Sequence, residues 1–254
     1  MVAFGRISLA GLFLLLVIVY KQYSFPRDRK SWIILVAAGI LNNAIPFFLI
    51  SWGQQYINSS TAAIMLSCGP FIALILSHYI TEDEKLTAFK LVGVAFGFLG
   101  VFVLVGKDIS IGDMDAIYGQ LAVLLATVGY ISSGLLIRKL HEVNVVICST
   151  SMFLTAIIVM LPFVSLNEIY KINFSSISTL SIVYLAIIPT AIASLVRIRL
   201  VQRVGIQFMS QVSYLIPIFA IFWAWVFLSQ LPHTNAWIAL LLILFGLFIR
   251  KLRD

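Results

Sequence analysis

Nine stretches of mostly apolar residues, each near the roughly 20 that a helix needs to cross a bilayer, follow one another along this 254-residue chain with only short polar or charged loops between them. They run from Val2 to Tyr20, Trp32 to Trp52, Ser60 to Ile80, Leu86 to Val105, Ile117 to Ile137, Val145 to Val164, Ile177 to Val196, Ile206 to Leu228 and His233 to Ile249. A chain that is 61% hydrophobic and 11% charged cannot hide so much apolar surface in one water-soluble core, so the excess must face lipid. The expected fold class is therefore an all-α integral membrane protein, a polytopic helical bundle. The first stretch is expected to be a retained helix, since no small-residue cleavage site separates it from the charged Lys21 to Lys30 loop.

Charge placement predicts orientation and excludes other partners. The net charge of +7 comes from short basic clusters between apolar runs, with no continuous basic patch interleaved with aromatics, so nucleic acid is not expected as a partner. Fourteen Lys and Arg fall on one side of the alternating loops (Lys21, Arg27, Arg29, Lys30, Lys85, Lys90, Arg138, Lys139, Arg197, Arg199, Arg203, Arg250, Lys251 and Arg253), against Arg6, Lys107 and Lys171 on the other. Positive loops stay inside, so the C-terminus is expected in the cytoplasm of an inner or plasma membrane. Nine spans then put the N-terminus outside, as though a leading helix were missing.

An internal repeat points the same way. Displaced by 147 positions, the chain pairs Ser31 with Ser178, Val36 with Val183, Ile40 with Ile187, Ala44 with Ala191, Ile45 with Ile192, Gln55 with Gln202, Pro70 with Pro217, Ala73 with Ala220 and Thr87 with Thr234. The uncharged Gln54 to Ser60 loop lies outside in this topology, whereas its counterpart around Gln202 is flanked by three arginines and lies inside. The copies are therefore expected to be inverted, a recurrent transporter design with its path at the repeat interface. Residues 1–110 form the first copy with four helices and 111–254 the second with five.

Several segments carry a family resemblance: Arg6 to Tyr20, AIPFFLISWGQQYINSSTAAIM from Ala44, DEKLT at Asp83 to Thr87 before a Gly-rich helix, YGQLAVLLATVGYISS from Tyr118, and SQVSYLIPIFA from Ser210. In order and spacing they resemble the EamA family of the drug/metabolite transporter superfamily. The resemblance implies ten helices in two inverted five-helix repeats and a secondary, non-ATP transporter of a small metabolite, amino acid or drug-like compound, working by alternating access as an exporter or exchanger. The chain departs from the family's pattern at Ser229 and Gln230, where Gly-Glu is usual, and at Arg197, where an aromatic is usual, while Arg199 fits a related subgroup.

The polar residues inside the spans define a candidate path. Gln207, Ser210, Gln211, Tyr214 and Pro217 share one helical face, and Ser60, Ala63, Ser67 and Pro70 form the corresponding stripe in the first copy. Asn42 and Asn43 place paired amides in an apolar helix, Thr127, Tyr130 and Gly134 share a face beside Ser133, and Thr190, Ser194 and Arg197 share another. The proposed substrate-binding set is Asn42, Asn43, Ser67, Tyr130, Ser133, Thr190, Arg197, Gln211 and Tyr214. Each has a structural alternative: hydrogen bonding between helices for the neutral groups, packing for Tyr130, and snorkelling to headgroups for Arg197, Arg199 and Arg203. The Gly93 and Gly97 spacing marks a small-residue packing face.

The ten acidic residues all sit in loops or at span edges, so no buried carboxylate is expected as a proton relay, and His78 is the one within-span group that titrates near neutrality. Exchange or facilitated diffusion is thus preferred over proton coupling. Cys68 and Cys148 give neither a disulfide framework nor a metal cluster, and no HExxH, P-loop or GxSxG is present. The chain is not expected to be an enzyme or to hold a cofactor; its partners are a small-molecule substrate and the bilayer, with homodimerisation left open. The competing readings are an intramembrane lipid-modifying enzyme and a truncated, inactive transporter remnant.

Overall fold

The computed structural model describes residues 2–105, 114–163, 177–228 and 234–251, which are helical apart from short connections and include no strand. The helices are α1 (Val2–Lys21), α2 (Arg29–Gly39), α3 (Ile45–Gly53), α4 (Ser59–Leu66), α5 (Gly69–Ile80), α6 (Ala88–Val105), α7 (Met114–Arg138), α8 (Val145–Met160), α9 (Ile177–Ala186), α10 (Ala193–Val204), α11 (Ile206–Ser210), α12 (Val212–Leu228) and α13 (Thr234–Lys251). Wide π turns at Ile40–Ala44 and Ile187–Ile192 join α2 to α3 and α9 to α10. Among the described residues, each of the nine expected apolar runs is mainly helical. Among the described residues six helical runs are long and apolar enough to cross a membrane, and Ala88–Val103 and Trp237–Ile249 are shorter apolar helices. Lys107, Lys171, Arg253, Ser229, Gln230 and the expected 110/111 repeat boundary lie outside the described residues.

Hydropathy alone does not disclose where these runs break. The Ser60 to Ile80 run is interrupted at Ser67 and Cys68, just before Pro70 in the first turn of α5, where a missing N–H costs nothing. The run beginning at Ile206 is interrupted at Gln211, and the residue before it, Gly205, takes φ of 88°, a left-handed conformation that suits glycine and ends α10. Each π turn stands beside a proline. Pro46 follows the first and Pro189 sits inside the second, and an i to i+5 pattern accommodates a residue that can neither donate nor tolerate the carbonyl four positions back. The first turn closes with the Ile45 N–H on Ile40 O and the second with the Ala193 N–H on Ile188 O.

The chain packs as two compact units, Met1–Phe47 with Ser132–Gly205, and Phe48–Ile131 with Ile206–Asp254. Each unit draws helices from both the first and the second half of the chain. In the first unit Ile7, Ala10, Leu14 and Ile18 recur at three- and four-residue intervals on α1 and are buried with Val146, Ile147, Phe153 and Ala156 of α8 and Ala191 of the second π turn. Gly39 brings α2 hard against α8: a Cβ there would stand 2.8 Å from Met152 O and 2.9 Å from Thr155 Cβ. In the second unit α6 and α13 cross closely, and a Cβ on Gly246 would stand 2.5 Å from Gly93 O and 2.9 Å from Gly97 N. The Gly93 and Gly97 face is therefore a packing face, as expected. Large apolar side chains such as Leu16, Val19, Phe48, Leu125 and Phe163 remain exposed, as a lipid-facing surface requires.

Candidate functional site

Of the nine proposed site residues, Asn42, Asn43, Ser133, Thr190 and Arg197 belong to the first unit, and Ser67, Tyr130, Gln211 and Tyr214 to the second. The structure brings three of them into direct contact. The first π turn places Asn42 and Asn43 side by side, Asn42 Nδ2 donates to Asn43 Oδ1 at 3.1 Å, and the Arg197 guanidinium of α10 donates to Asn42 Oδ1. Asn43 is buried at 4% exposure, and its own Nδ2 has no hydrogen-bond partner. Ser133 on α7 braces this region from behind, donating from Oγ to Ala38 O of α2 at 2.9 Å. Thr190 directs its hydroxyl into its own helix, to Leu185 O at 2.7 Å, within the turn that Pro189 distorts.

The residues of the second unit are more self-contained. Ser67 donates to Ala63 O at 2.8 Å within α4, a bond that serves the helix end rather than a ligand. Tyr214 is buried and donates its hydroxyl to Val94 O of α6 at 3.0 Å, with its ring against Gly97. Gln211 is buried at the break between α11 and α12, and Tyr130 is half-buried on α7. Arg199 and Arg203 are exposed on α10, where headgroups would receive them.

Sequence reasoning overlooked four features. Glu84 was expected among solvated loop carboxylates but is buried at 7% exposure, because the segment after α5 folds onto α11: Glu84 Oε1 accepts from the Gln207 N–H at 3.1 Å, while Gln207 Nε2 donates to Glu84 O at 2.8 Å and to Ser77 Oγ at 2.6 Å. A carboxylate at a helix start is favoured by the unfilled N–H groups there. His78 serves the same segment, its Nδ1 accepting from the Leu86 N–H at 3.3 Å. On α8, Ser149 bonds Ser194 at 2.8 Å, and Ser151 is buried with its hydroxyl unpaired. Arg6 is half-buried on α1 with its guanidinium 5.8 Å over the Phe47 ring, a cation–π contact rather than a free loop charge. The serines could have been found from their place in an apolar helix; the others depend on which segments meet.

Bundled apolar helices with amides and a guanidinium held inside their spans define a multi-pass membrane protein of the transporter class. The chain matches the family described as the EamA-like transporter family over residues 1–106 and 117–250, and it belongs to that family. It is 21% identical over 246 residues to the uncharacterized transporter YoaV of Bacillus subtilis (strain 168), covering 96% of this chain and 83% of that one. To the S-adenosylmethionine/S-adenosylhomocysteine transporter of Chlamydia muridarum (strain MoPn / Nigg) it is 24% identical over 237 residues, 89% of this chain and 74% of the relative. A protein crystal structure superposes with a TM-score of 0.83 over 99% of this chain and 86% of the other at 17% identity, a likeness of fold.

Proposed function

We propose that this chain is a secondary transporter that moves a small polar metabolite, amino acid or drug-like compound across the inner or plasma membrane by alternating access, as an exporter or exchanger. The observation that carries this reading is the Arg197, Asn42 and Asn43 cluster: a charged group and two amides inside membrane-spanning helices are costly unless they pair or serve a polar passenger. The remaining proposed residues, Ser67, Tyr130, Ser133, Thr190, Gln211 and Tyr214, complete the polar faces of the two sequence repeats, which we take to be inverted. The fourteen-to-three charge distribution favours a cytoplasmic C-terminus.

Purified chain in vesicles provides the test. Vesicles loaded with a metabolite mixture should exchange at least one labelled compound faster than protein-free vesicles, and the named cargo of the Chlamydia relative, S-adenosylmethionine, is the first to try. Equal rates for every compound with and without protein would overturn the transport reading. Cysteine placed at Arg138, in a chain lacking Cys68 and Cys148, should react with an impermeant reagent only after the membrane is opened; reaction from outside intact cells would reverse the orientation.

A further inference from the structure

The donors and acceptors of the first π turn run in one direction. A guanidinium has only donors, so Asn42 must turn its carbonyl oxygen to Arg197. Asn42 turns its NH2 to Asn43, which presents its own oxygen, and the bond runs from Asn42 Nδ2 to Asn43 Oδ1 at 3.1 Å. The direction then propagates to the far end. Asn43 Nδ2 is a donor, it is buried, and it has no partner. Both amides are neutral, and the charged group at the head of this chain of bonds is the Arg197 guanidinium. Successive bonds aligned in one direction polarise one another, most strongly where the dielectric constant is low. The open end of the chain is therefore a strengthened donor.

We propose that Asn43 Nδ2 receives an anionic oxygen of the transported compound, a carboxylate or a phosphate. Arg197 acts through Asn42 as a positioning residue that orients and polarises the amides. This rests on the transport reading above and adds to it the chemical class of the substrate. A hydrogen bond to a charged group is worth more than a neutral one, so losing the donor should raise KM roughly tenfold.

The test uses the reconstituted full chain and labelled pairs that differ only in charge, amino acids with their amides and sugar phosphates with their sugars. Wild type should carry the acid of at least one pair over its neutral match by about tenfold, and the pair that responds distinguishes carboxylate from phosphate. Asn43→Ala should remove that preference by raising KM for the acid to that of its neutral match. Asn42→Asp keeps the shape and the contact to Arg197 but cannot donate onward, so it should have the same effect in a fold that is retained. Arg197→Gln should weaken the preference, and combining it with Asn43→Ala should cost nothing further, since both variants interrupt one chain. Equal carriage of acids and neutral matches by wild type would overturn the proposal while leaving transport intact. Full preference in both Asn43→Ala and Asn42→Asp would overturn it too, leaving a buried water as the partner of Asn43. Carriage of nothing by wild type would remove the transport reading itself, and this inference with it.

Discussion

The two π turns, Ile40–Ala44 and Ile187–Ile192, begin 147 positions apart, the displacement that aligns the sequence repeat, yet they treat their polar groups differently. Asn43 and Thr190 occupy equivalent positions. Thr190 directs its hydroxyl to a carbonyl of its own helix and closes the gap opened beside Pro189. Asn43 accepts from Asn42 and leaves a donor open. The same kind of turn thus occurs at both positions with different side chains, one sealing itself and the other carrying an unfilled bond.

The largest effect should come from placing a negative charge in the unsealed turn. Asn43→Asp replaces the open donor with a carboxylate, removing a bond and adding repulsion, and should lower the specificity for an anionic substrate about 100-fold, near 3 kcal/mol. Thr190→Asp should affect folding more than selectivity. Measured rates normalised to folded protein would break the comparison if both variants lost selectivity equally.

Next in size is the helix crossing beside each turn. Gly39 has Ala186 as its repeat equivalent, and the first meets main-chain atoms of Met152 that cannot move aside, whereas the second is already a buried alanine. Gly39→Val should therefore destabilise by about 3 kcal/mol, the upper end for overpacking. Ala186→Gly should cost only about 1 kcal/mol, from helix propensity and a small void. Thermal inactivation in detergent reads both; equal losses would show that the two crossings are alike.

A smaller effect is expected from sealing chemistry itself. Thr190→Val keeps the shape but leaves Leu185 O without its hydroxyl, which should cost roughly 1 to 2 kcal/mol of stability and lower transport per folded molecule less than Asn43→Leu does. Asn43→Leu should do the reverse, abolishing the acid preference while stability holds or rises, since an unpaired buried amide is exchanged for an apolar group. A transport defect in Thr190→Val as deep as that of Asn43→Leu would place the second turn in the path as well.

These differences show which parts of the molecule the sequence could convey. The all-helical, membrane-spanning class was legible because membrane crossing depends on the length and apolarity of a run, which are properties of neighbouring residues. Proline marked both distortions, at Pro46 and Pro189, but a kink, a break and a π turn satisfy the same composition, so the kind of distortion was not legible. Gly93 and Gly97 announced close packing correctly, whereas Gly39 matters only because α8 happens to lie against it. The amides of Asn42 and Asn43 were conspicuous in an apolar helix. Their bond to Arg197 was not, since it joins residues 155 apart and depends on tertiary packing. Glu84 was misjudged for the same reason: a loop carboxylate is ordinarily solvated, and only the return of its loop onto α11 buries it.

The smallest effect concerns how the helix that leads into the first turn begins. Asp28 caps α2, its carboxylate accepting from the Ser31 N–H at 2.7 Å, and this bond to the backbone holds its carboxyl below the ordinary value of 3.8. Because the folded state favours the charged form, the cap's contribution is fully present above the unfolded pKa and is lost as pH falls through the lower folded value. Asp28→Asn keeps an oxygen acceptor without the charge, so it should be slightly less stable than wild type near neutrality and should not lose its cap in acid. The two stability curves should therefore converge below about pH 4. The side chain is exposed, so the charged part of the difference should shrink in high salt, while the hydrogen bond common to both should not. A difference between wild type and Asp28→Asn that stayed constant from pH 7 to pH 3 would show that the carboxylate caps α2 by shape alone.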